Sequence, residues 1–141
     1  MINLALAHHH LGDRAGSRTV LTQLLEAKPD SLDGLRGLAA IALEEENHEE
    51  ALRIHQRLLE LGEREAEVLY NTALLSQKLG RMEDAARLYQ ESLEKRAGFS
   101  EAMLNLGHTL SALGQESEAR RSWLDAIQAN PELAAGYFLT E

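Results

Sequence analysis

Apolar stripes at helical spacing alternate along the chain with short polar breaks. In "SEAMLNLGHTLSAL", Met103, Leu106, Gly107 and Leu110 fall at i, i+3, i+4 and i+7, which is one face of a helix. A break at Gly114 and Gln115 follows. "ESEARRSWLDAIQAN" then carries a second stripe through Ala119, Trp123, Ala126 and Ile127. Asn130, Pro131 and Glu132 read as an N-cap, a first-turn proline and an acid suited to the positive end of a helix dipole, so a further helix opens there. The predicted unit is a helix–turn–helix pair.

The unit recurs. Leu-Gly stands at Leu11-Gly12, Leu79-Gly80 and Leu113-Gly114, with a gap at Glu45-Glu46, where the copy expected from a 34-residue period would fall. Other columns keep the period: Ser17, Ala51, Ala85 and Ala119; Leu21, His55, Tyr89 and Trp123; Leu25, Leu59, Leu93 and Ile127; Leu4, Leu38, Thr72 and Leu106; Ala5, Ala39, Ala73 and Gly107. A fixed period of this length means stacked helical repeats. The repeats are predicted at approximately 1–31, 32–65, 66–99 and 100–133, with 134–141 starting a fifth repeat or forming a capping helix. That gives eight antiparallel helices and a short ninth, with turns near Gly12, Asn47, Gly80 and Gly114. Ala39, Ala73 and Gly107 let paired helices approach closely, and Tyr89 and Trp123 are expected to fill space between neighbouring repeats. Ser76 and Ser92 stand in core slots, where they are expected to weaken packing locally.

The column pattern resembles the tetratricopeptide repeat. In the fourth copy Met103 takes the Trp slot, Leu106-Gly107 match, Leu110 takes the Tyr slot, and Ala119, Trp123, Ala126 and Pro131 follow. The resemblance covers essentially the whole chain. It implies an all-α solenoid of four repeats in a right-handed superhelix, whose first helices line a concave side.

Composition narrows the function. The 141 residues are 44% hydrophobic and 4% aromatic, with a formal net charge of −9; such a surface repels phosphate backbones, so nucleic acid is not an expected partner. There is no cysteine, which removes disulfides and thiolate chemistry. No basic residue precedes the short apolar run of "MINLALAHHH", a poor leader, and no stretch approaches the roughly 18 apolar residues of a membrane span. The expected location is the cytoplasm, without membrane insertion. His8, His9 and His10 end the first predicted helix; consecutive helical residues point in different directions and cannot face one metal, so no metal site is assigned. His55 shares the column of Tyr89 and Trp123 and reads as a packed histidine. The acidic run "EEENHEE" reads as a solvated turn, with Asn47 and Glu50 resembling a capping box.

No Ser-His-Asp constellation, phosphate-cradling glycine loop or paired ligand motif is present. The chain is therefore expected to be no enzyme and to need no cofactor, and function is expected in surface shape. The first-helix face opposite the core supplies a candidate peptide-binding groove: Asn3, Leu6, Arg36, Leu43, Tyr70, Asn71, Leu74, Lys78, Leu104, Asn105 and His108. Asparagines at Asn3, Asn71 and Asn105 form a column interrupted by Gly37; amides donate to and accept from a peptide backbone. The expected partner is a peptide or helix of another protein. Members of the resembled family that grip acidic chaperone tails carry Lys, Asn and Arg at set groove slots. Arg36 and Asn71 match two of these, but Ala40, Glu101 and Asn105 occupy the others, and Glu101 is repulsive where a carboxylate would bind. That role is rejected.

Met1 falls inside the first predicted helix and Glu141 about eight residues into a fifth repeat, so the sequence is expected to be a segment of a longer protein. The alternative function is accordingly a substrate-recognition segment of a larger enzyme, for example an O-linked glycosyltransferase, sulfotransferase or hydroxylase. Tyr137, Phe138 and Leu139 are apolar on more than one face and are expected to mediate self-association as a homodimer.

Overall fold

The structure, a computed structural model, describes residues 14–133. Among them are seven α-helices and no strand: α1 (Arg14–Ala27), α2 (Leu32–Glu44), α3 (His48–Glu60), α4 (Ala66–Lys78), α5 (Met82–Lys95), α6 (Ser100–Ala112) and α7 (Glu116–Ala129). The helices α2, α4 and α6 start 34 residues apart, the period of the sequence columns. The chain divides into two units, residues 1–64 and 65–141.

The turns repeat as closely as the helices. Asn47, Arg81 and Gln115 donate their N–H to the carbonyls of Ala42, Ser76 and Leu110 at 2.8, 2.8 and 2.9 Å. Each closes a helix C-terminus in the six-to-one manner that needs a left-handed residue just before it. Gly80 and Gly114 supply that residue with φ of 80°, and in the second repeat Glu46 is forced to φ 57°. Caps reinforce the starts of α2 and α3: Ser31 Oγ accepts the Gly34 N–H at 3.1 Å and Asn47 Oδ1 accepts the Glu50 N–H at 3.2 Å. Asn130 Oδ1 accepts the Glu132 N–H at 3.3 Å, the cap read from Asn130-Pro131-Glu132.

In the first unit Leu35, Ala39, Ile54 and Leu58 form one core cluster and Leu21 and Ile41 another. α1 presses closely on α2: a Cβ at Gly37 would lie 3.0 Å from the Leu21 side chain. Gly37 therefore belongs to a helix contact, which is why the asparagine column breaks there. Arg18 of α1 hydrogen-bonds both Glu50 oxygens at 2.9 Å and also pairs with Glu45. These bonds, that to Glu50 foremost, hold the guanidinium further in its charged form against the opposing effect of burial. The acidic turn is thus partly neutralised from within the unit. Glu50 uses its carboxylate on Arg18, so the capping box is made on the Asn47 side.

In the second unit Ala73, Ala85, Ala86, Tyr89, Ala102, Leu106, Leu110 and Ala119 are buried together, with Tyr70, Phe99 and Trp123 packed against them. Leu21, His55 and Tyr89 are 3%, 6% and 0% exposed, as their shared column requires. Trp123 departs from that column. It is half-buried and lies over Gly107 of α6, where any Cβ would overlap the indole. It also packs against the cluster that Ala73, Ala85 and Tyr89 of the third repeat share with Leu106 and Leu110 of the fourth. The core serines do not leave holes: Ser76 Oγ donates to the Thr72 carbonyl at 2.9 Å and Ser92 Oγ to the Ala66 carbonyl at 2.7 Å. Buried hydroxyls that are bonded avoid the roughly 1–3 kcal/mol cost of an unmet polar group.

Candidate docking face

The first helices of the second unit, α4 and α6, each pack on α5 and meet each other only over a short stretch. Tyr70, Asn71, Leu74 and Lys78 come from α4 and Leu104, Asn105 and His108 from α6. Asn71, Lys78 and His108 are exposed, while Tyr70, Leu74, Leu104 and Asn105 are half-buried. The helical period produces this gradient: residues one turn apart share a face, and those tilted toward the neighbouring helix lose solvent first.

Tyr70 sits at the centre. Its ring lies 4.8 Å from that of Phe99 and 5.8 Å from that of Tyr89. Its hydroxyl accepts a 2.9 Å hydrogen bond from Asn105 Nδ2. Burial and the nearby negative charge of Glu101 push the phenol above its ordinary pKa, against the pull of the Asn105 bond. Tyr89 is fully buried and donates its hydroxyl to Gln77 Oε1 at 2.7 Å. At the opposite end of α6, His108 stands 5.7 Å from the Trp123 ring, and partial burial lowers its pKa. Charge gathers at the start of the two helices: Arg96 donates to Glu67 Oε1 at 3.3 Å and lies 4.7 Å from the centre of the Phe99 ring.

Two of the sequence-selected residues that the structure describes belong to the first unit. Arg36 is occupied by Glu63 at 2.7 Å and Asp33 at 3.9 Å, while Leu43 is 41% exposed on α2. Asn3, Leu6, Tyr137, Phe138 and Leu139 lie outside the described residues. The sequence reading missed Arg96 and Phe99, which frame Tyr70. Their signal was the 29-residue step from Glu67 to Arg96, which joins the first and last turns of one helix pair. A separate open cleft of about 390 Å³ lies at the α4–α5 turn, lined by Gly80, Arg81, Met82, Glu83, Asp84 and Leu113; none of the sequence-selected residues lines it. Among the described residues no cluster of His, Asp or Glu is arranged to hold a metal ion, and no helix is long and apolar enough to cross a membrane.

Helix–turn–helix units in one register, with a polar and aromatic face on the first helices, define a helical-repeat protein of the interaction-scaffold class. A family model described as coatomer epsilon subunit matches residues 35–134, and one described as tetratricopeptide repeat matches residues 2–66. The first of these models spans more than half of the chain, so the chain belongs to the coatomer epsilon subunit family, and its N-terminal part matches the tetratricopeptide repeat. No curated protein matches the sequence. Among solved structures, a MamA of AMB-1 superposes with a TM-score of 0.86 at 18% identity, covering 94% of this chain and 75% of its own. Another MamA crystal structure gives 0.82 at 17% identity, with 90% and 74% covered. MamA from Desulfovibrio magneticus RS-1, residues 41 to the end, gives 0.79 at 15% identity, with 93% and 74% covered. At such identity the likeness establishes the fold: a solenoid of helix–turn–helix repeats.

Proposed function

We propose that the chain is a non-catalytic scaffold whose first-helix face takes a peptide or helix from a partner protein. The observation that supports this reading best is the α4–α6 face of the second unit. There Tyr70, Leu74 and Leu104 are half-buried beside exposed Asn71 and His108. Apolar side chains that are partly covered gain about 25 cal/mol for each further Å² removed from water. Asn71 has both a donor and an acceptor for a partner's main chain, and Asn105, with one amide hydrogen spent on Tyr70, still offers its carbonyl oxygen. Such a face supplies grip without a reactive group.

A pull-down from the native cell extract tests the reading. Asn71→Arg with Leu104→Glu should abolish recovery of the partner. Arg87→Glu with Glu94→Lys, on the exposed side of α5, should leave it intact. Equal recovery by both double variants would remove the face from consideration.

A further inference from the structure

One acidic column runs through the first turns of three helices, and its charge is answered unequally. Asp33, Glu67 and Glu101 occupy the same slot in α2, α4 and α6. Asp33 is 3.9 Å from Arg36. Glu67 is 3.3 Å from Arg96, whose guanidinium also rests on the Phe99 ring. The counterpart of Arg96, 29 residues beyond Glu101, is Asn130. That residue is uncharged, and its side chain is spent capping Glu132. Glu101 is exposed, hydrogen-bonds only weakly with Ser100 at 3.4 Å, and forms no ion pair among the described residues. The Tyr70 and Phe99 rings pair with centroids 4.8 Å apart; Arg96 links Glu67 to the Phe99 side, and the charge of Glu101 is felt at the Tyr70 phenol. One aromatic pair thus has an acid near each ring, and of these two acids only Glu67 is paired with a cation among the described residues.

We propose that the α4–α6 face selects its partner segment by a single Arg or Lys side chain, which rests on Tyr70 and pairs with Glu101 as Arg96 rests on Phe99 and pairs with Glu67. The inference rests on the docking reading above and adds the chemistry of the ligand. A cation over an aromatic face is attracted by the ring's negative charge density, and a carboxylate at its flank fixes the direction of approach. Leu74 and Leu104 take apolar residues next to the basic one. Lys78 stands at the far end of α4, roughly 16 Å along the axis from Glu67, the first-turn acid of that helix, at 1.5 Å per residue. The net charge of −9 favours encounter with a basic segment before any contact forms.

Fluorescence polarisation on the full chain decides it. Three labelled peptide pools with equal apolar content carry a fixed Arg, Ala or Asp at the centre. The Arg pool should bind roughly tenfold tighter than the Ala pool, and the preference should fade in high salt. Glu101→Gln should erase the preference, and Glu101→Lys should turn it toward the Asp pool, with helical content unchanged because Glu101 is exposed. If all pools bind alike and Leu104→Glu abolishes that binding, the docking reading stands and the charge selection is overturned. An Arg preference that survives Glu101→Gln overturns it as well, because the overall charge would then be the cause. Failure of every pool to bind at millimolar concentration overturns both.

Discussion

Asn105 on α6 and Tyr70 on α4, 35 residues apart, hold each other through a 2.9 Å hydrogen bond from Nδ2 to the phenol oxygen. The bond links two successive first helices across the face described above. It also fixes the Tyr70 ring, which Phe99 supports from the side. A partly buried hydrogen bond of this kind contributes about 1 kcal/mol. Urea unfolding of Tyr70→Phe, Asn105→Ala and the double variant should give a coupling energy near that value. Strictly additive losses would mean that the bond has no energetic role.

Glu46 occupies a left-handed position that its column fills with Gly80 and Gly114. For a residue with a Cβ this conformation costs about 1–2 kcal/mol. Glu46→Gly should raise the urea midpoint by an amount corresponding to about 1 kcal/mol, whereas Gly80→Ala and Gly114→Ala should lower it. A destabilised Glu46→Gly would show that the side chain outweighs its backbone strain.

Gly107 is required by the size of Trp123. Alanine there would gain about 1 kcal/mol of helix propensity, yet its Cβ would overlap the indole, and such overpacking costs typically 1–3 kcal/mol. Gly107→Ala should therefore destabilise, by up to about 2 kcal/mol. Combining it with Trp123→Tyr, the pairing that Ala73 and Tyr89 make in the preceding repeat, should recover most of the loss. If the two losses add, the size match is not what holds glycine at this position.

His55 gives stability a pH dependence. It is 6% exposed, and its Nδ1–H donates to the Ala51 carbonyl at 2.8 Å. Burial lowers its pKa below the ordinary 6.5, with the backbone bond opposing in part. The unfolded chain therefore takes up this proton at higher pH than the folded one. The contribution is full above pH 6.5 and is lost as pH falls through that value toward the folded pKa. His55→Leu, the residue that Leu21 supplies in the same column, should flatten part of that decline. His108, also lowered by burial, should retain the rest. A thermal midpoint that falls equally in wild type and variant between pH 7.5 and 5 would contradict the assignment.

The fold was legible because its information is periodic. Columns such as Leu21, His55, Tyr89 and Trp123 repeat every 34 residues, and helical spacing within each copy fixes which face is buried. Contacts that depend on which helix pairs with which are not written in the period. Arg18 with Glu45 and Glu50 is one such contact, since the acidic turn gives no sign of where its cation stands. The face was legible in position but only partly in role. Tyr70 and Asn105 were read as groove residues open to a partner, and their bond to each other makes them also the joint between helices. Trp123 was read from its column alone. The glycine facing it, visible at position 107, carried the information that the indole lies over α6.

Site-specific photo-crosslinking tests the central claim most directly. A photoreactive amino acid is placed at Asn71 or Leu104 on the docking face, and at Arg87 or Glu94 on the exposed side of α5, in the full protein within its native cell. If the first helices carry the function, Asn71 and Leu104 capture the same polypeptide and Arg87 and Glu94 do not. Capture of that polypeptide from Arg87 and Glu94 alone, with none from Asn71 or Leu104, would contradict the account.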